Sequence, residues 1–109
     1  MDELAYWVGF NKVLGIGPAR LRALLDFFGG VEEAWHADAA SLLEIGLDRR
    51  SIDNLLKARR SLDLAGELER LQQAAVKVLT WDSEDYPINL RNIHDPPPVL
   101  AVLGYTHLW

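Results

Sequence analysis

The sequence predicts a mainly α protein. A small helical bundle fills residues 1–75, and a short strand, turn and second strand fill residues 76–109. Two observations carry this. Up to residue 75 the apolar residues recur at helical spacing, in stretches separated by glycine or by a capping aspartate. After it, "VKVLT" and "VLAVL" are β-branched apolar runs, separated by the polar "DSEDYPINL" and the rigid "DPPP".

The elements follow in order. Leu4, Trp7, Val8 and Phe10 to Leu14 predict a helix from about Asp2 to Val13. Leu21, Leu24, Leu25 and Phe28 predict a second from Pro18 to Phe28, stopped by Gly29-Gly30. Val31 to Trp35 reads as a short helix. Asp38 caps a helix over Ala39 to Glu44, and Asp48 opens one that buries Ile52, Leu55 and Leu56. Leu64, Leu68, Leu71 and Ala75 form a last stripe, either continuous with its predecessor or newly capped by Asp63. "LGIG" at Leu14 to Gly17 is echoed by "LEIG" at Leu43 to Gly46, a degenerate second copy. The two terminal runs are apolar on both faces, as in parallel sheets. Here they must pair with each other, pack on the helices or meet a second molecule, so self-association through these strands is expected.

The 109 residues suit one domain, or one domain and a piece of another; half are hydrophobic, enough for a core. No run is long enough to span a bilayer and no secretory leader is visible, so the chain reads as soluble and cytoplasmic. Cysteine is absent, which excludes disulfides and thiolate metal sites. The net charge of -5 argues against a broad electrostatic nucleic-acid binder.

The most informative stretch is "LGIGPARLR", Leu14 to Arg22. Gly15 and Gly17 are open to backbone angles that side chains forbid, and Ile16 between them can plug the core. Pro18 suits a first helical position. Free amides at a helix start attract anions, so Gly15, Ile16 and Gly17 form a candidate site for a DNA phosphate, with Arg20 and Arg22 near a second. The pattern is that of a helix-hairpin-helix motif, in tandem with the degenerate copy. The plain alternative is a compact α-hairpin turn. Leu21 stands where the motif usually has a small residue, and Ala19 where it often has a basic one.

Downstream, Tyr86-Pro87, Leu90, Ile93, Asp95-Pro96-Pro97, Val99-Leu100 and Gly104 form one ordered set. With Leu14 to Pro18 and "DFFGG" they resemble the DNA-processing protein A family (DprA, also called Smf). The resemblance covers essentially the whole chain. It implies an N-terminal fragment: an accessory helical domain, then the start of a Rossmann-like domain. It further implies single-stranded DNA and the RecA recombinase as partners, a role in natural transformation and recombination, and no catalysis. The family's DNA-binding residues lie in the continuation and map to no position here.

The other constellations have plain readings. Arg49, Arg50, Lys57, Arg59 and Arg60 form one basic cluster, either a solvated helix face with i,i+4 pairs or a phosphate or partner patch. His36, His94 and His107 lack ligand spacing, so no metal is expected. Asp82, Glu84 and Asp85 read as turn residues, and Trp7, Trp35 and Trp81 as packing residues. No P-loop, dinucleotide fingerprint or nucleophile–base set occurs, so neither enzyme activity nor a cofactor is expected. The rival to a nucleic-acid accessory domain is a protein-interaction module of the sterile-alpha-motif (SAM) type.

Overall fold

The computed structural model describes residues 2–103; Gly104, His107 and Trp109 lie outside the described residues. Within them run α1 (Glu3–Asn11), α2 (Pro18–Phe28), α3 (Val31–Trp35), α4 (Ala39–Glu44), α5 (Arg49–Ser61) and α6 (Leu64–Gln73). Then come β1 (Val76–Thr80), a single-turn α7 (Ile88–Arg91) and β2 (Val99–Leu103). The fold is mainly helical with one small sheet.

The centre is α1. Asp2 starts it, its carboxylate accepting from the Leu4 amide at 3.0 Å. Ala5 through Phe10 are all buried, so the helix is apolar on every side and needs neighbours all round. α3, α6 and the sheet supply them. Gly9 marks the tightest approach: a Cβ there would lie 2.6 Å from Leu64 Cδ2 and 2.9 Å from Trp35 Cη2. Phe10 meets Trp35 edge-to-face, 5.0 Å between ring centroids. The helix stops at Asn11, two residues before the expected Val13, because Val13 already turns toward the core.

α5 and α6 are separate helices. Leu62 is extended (φ −89°, ψ 133°), and Asp63 caps α6 through the Gly66 amide at 3.1 Å. At the far end of α6, Ala75 takes a left-handed conformation (φ 59°) and redirects the chain into β1.

The two apolar runs pair with each other, but antiparallel, with Val76 opposite Leu103 and Thr80 opposite Val99. Their sequences resemble parallel strands because both faces are apolar. The connection brings the chain back at the near end of β1, which forces the opposite direction. Hydrogen bonds hold that connection: Tyr86 Oη donates to Pro97 O (2.6 Å) and Trp81 Nε1 to Pro96 O (3.2 Å). Arg91 donates to the carbonyls of Trp81 and Ser83. The Tyr-Pro and Asp-Pro-Pro ends of the motif are thus tied together directly. Trp81 also packs edge-to-face on Trp7, 5.9 Å between centroids, joining this segment to α1.

Candidate nucleic-acid interface

Between α1 and α2 the chain makes the turn that its glycines predict, though only one of them needs its freedom. Gly15 has φ +95°, closed to ordinary side chains, whereas Gly17 is extended at φ −87°. Ile16 is buried beneath them. Gly17 contributes no capping side chain and Pro18 no N–H, so the first-turn amides of Ala19 and Arg20 are left open. The turn forms one wall of a shallow depression, and Asp95 reaches its rim.

The structure corrects the register of the internal repeat. The left-handed glycine of the second turn is Gly46 (φ +100°), followed by buried Leu47 and by Asp48 at the start of α5. Gly15-Ile16-Gly17-Pro18 therefore matches Gly46-Leu47-Asp48-Arg49, not Leu43 to Gly46 in the frame of "LEIG". Helix follows at the same step in both, and the pairs Leu21/Ile52 and Leu24/Leu55 are buried alike.

The matched helix starts meet in a polar cluster. Arg20 Nη1 donates to Gly15 O (2.8 Å), Asp48 Oδ1 (2.9 Å) and Ser51 Oγ (2.9 Å). The buried Ser51 hydroxyl lies between Asp48 and Gly15 O. Asp48 thus starts α5 by position, but its carboxylate faces Ser51 and Arg20 instead of the helix amides. The Ser51 hydroxyl, with the Arg20 guanidinium beside it, holds the Asp48 carboxyl below the usual aspartate range. Asn54 Nδ2 donates to Leu14 O at 2.9 Å, so α5 grips the first turn at two points. Nothing in the spacing of Ser51 or Asn54 announces these roles. They depend on how two distant turns meet.

The predicted basic residues fall into distinct places. Arg20 makes all its bonds through Nη1. Arg22 lies exposed with its guanidinium 4.4 Å from the centre of the Trp81 ring. Arg49 and Arg50 open α5, and they, Lys57 and Arg60 are exposed. Arg59 turns inward and donates to Trp35 O and Ala37 O, both at 2.7 Å. Burial pushes its pKa down. No group of His, Asp or Glu suited to a metal occurs among the described residues, and no described helix is long and apolar enough to cross a membrane.

Comparison with known proteins gives one informative match. Protein Smf of Synechocystis sp. (strain ATCC 27184 / PCC 6803 / Kazusa) is 39% identical over 104 residues, 94% of this chain and 26% of that protein. The likeness to the DprA/Smf family is thereby shown. The chain spans about a quarter of the length of this Smf relative. No family model matches it, and neither does any solved structure.

Proposed function

We propose that this chain is the helical accessory part of a DNA-processing protein of the Smf type, followed by the opening of its Rossmann-like domain. The division falls near residue 75. In this reading the two turns form tandem helix-hairpin-helix units, the second degenerate. The whole protein handles single-stranded DNA in the cytoplasm during transformation and recombination, with the RecA recombinase as partner and no catalysis of its own. The chain itself touches DNA backbone weakly and without sequence preference.

The observation that supports backbone contact is the open start of α2 beside the exposed Gly15 and Gly17. Donor amides and the positive end of the helix converge there. Arg20 is paired with Asp48 through Nη1, and its Nε and Nη2 carry no protein hydrogen bond among the described residues, so two of its donor nitrogens face outward beside those amides. Arg22 is exposed two residues further on, roughly half a helical turn away. A ¹⁵N-resolved titration with single-stranded DNA tests the reading. The amides of Gly15, Gly17, Ala19 and Arg20 should shift together and return as salt rises. If they stay still at saturating DNA, the turn is only a structural corner. A protein-interaction module is the second reading, favoured by Phe27 and Leu43, which are more than half exposed on neighbouring helices.

A further inference from the structure

The chain has eleven Lys and Arg, and seven of them have their charge engaged within the described residues. Lys12 and Arg70 pair with Glu67, Arg20 with Asp48, and Lys77 with Asp85. Arg59 and Arg91 donate to backbone carbonyls, and Arg22 stacks on Trp81. Four remain: Arg49, Arg50, Lys57 and Arg60. All four are exposed, all lie on α5, and none of their side chains has a hydrogen bond or ion pair among the described residues.

Helical rotation of about 100° per residue puts these four on one arc, with Asp53 as the only carboxylate among them. Ser51, Ile52, Leu55 and Arg59 occupy the opposite, inward side. From Arg49 to Arg60 the cations extend about 16 Å along the axis. Beside them, Asn54, Lys57 and Ser61 line a shallow groove whose other wall is Lys12 and Leu14 of the first turn. Two of the cations stand in the first turn of the helix, where the helix dipole disfavours positive charge. A bound anion reverses that penalty. The result is a cationic face on a chain whose net charge is -5.

We propose that this face of α5 is a docking surface for a nucleic-acid phosphodiester backbone, and that it supplies most of the charge neutralisation in DNA contact. The proposal rests on the DNA-contacting reading above and moves the main ionic contribution from Arg20 and Arg22 to Arg50 and Lys57, with Arg49 and Arg60 flanking. The first turn then contributes amides, and α5 contributes charge. The contact proposed is with phosphates, which position the strand and carry no sequence information of their own.

Anisotropy titrations of a labelled single strand and of its duplex, across a salt series, test this in the full chain. Arg50→Gln/Lys57→Gln should reduce the log–log salt slope by about 1.4 on single strands and about 1.8 on duplex. Whichever form the wild type binds more tightly at the same salt is the preferred backbone. Arg70→Gln/Lys77→Gln changes net charge equally on other surfaces and should leave the slope unchanged. All four side chains are exposed, so both variants should melt like the wild type. The proposal is overturned if the two double variants alter the slope equally, or if the α5 variant leaves it intact while the wild type binds. If the wild type binds neither form at the lowest salt, the DNA-contacting reading falls, and this one with it.

Discussion

Gly15→Ala probes the point where the two turns lock. The new Cβ meets two obstacles. The backbone at φ +95° lies beyond the left-handed region that L-residues tolerate, which costs about 1–2 kcal/mol. The Cβ would also sit 2.3 Å from Ser51 Oγ and 3.1 Å from Ser51 Cβ. Ser51 is buried, so its hydroxyl can escape only by giving up its bonds to Asp48, Arg20 and Gly15 O. Losing hydrogen bonds to charged partners costs about 1.5–3 kcal/mol. Alanine recovers about 0.4–1 kcal/mol by stiffening the unfolded chain. The net loss is about 2–4 kcal/mol, or a Tm lower by roughly 10 °C or more for a chain of this size. Urea denaturation of wild type, Gly15→Ala, Ser51→Gly and the double variant separates the two obstacles. Removing the Ser51 side chain abolishes the collision and leaves the backbone strain, so the cycle should show a coupling of about 1.5 kcal/mol or more. A coupling within about 0.5 kcal/mol of zero would refute the reasoning, because the turns would then not be held through Ser51.

Four further outcomes are expected. Gly9→Ala overpacks α1 against Leu64 and Trp35 and should destabilise by about 1–3 kcal/mol in denaturant, although alanine is the better helix former. Arg59→Ala strands the carbonyls of Trp35 and Ala37 and should cost about 1–3 kcal/mol without changing the salt slope of DNA binding. Ala75→Gly relieves the left-handed alanine that follows α6 and should raise stability by about 0.5–1 kcal/mol, seen as a higher urea midpoint. The Asp48 carboxyl titrates lower when folded than when unfolded, so its contribution is present above the ordinary aspartate pKa and is lost as pH falls through the folded value. Asp48→Asn should therefore be less stable than wild type at neutral pH, and the gap should close below about pH 4.

Local features were legible in the sequence. The limits of α2, α3 and α4 follow from Pro18, Gly29 and Asp38, whose effects act within one helical turn. The strand pair and its connection were visible as composition, and Gly15 as a turn residue. What escaped depends on distant partners. Arg59 reads like its neighbours, yet a rotation of one residue from Arg60 carries it from solvent to the carbonyls that end α3. Matching letters aligned "LGIG" with "LEIG", whereas the backbone aligns the two left-handed glycines, Gly15 and Gly46. Gly9 carries no local mark, since its need for space is set by Leu64 and Trp35.

Trp81 touches Trp7 with its ring, Pro96 with its indole N–H and Arg22 with its face. A cut after residue 75 would thus remove a wall from the helical part as well as a tail. It would uncover Trp7, strip Arg22 of its stacking partner and release a cation beside the first turn. A shortened protein could then hold polyanions more tightly while unfolding more easily. Its gain in binding would come from the injury, with no bearing on what the intact chain does. Dissecting this molecule by point substitution at Trp81, with the strands retained, keeps those two effects apart.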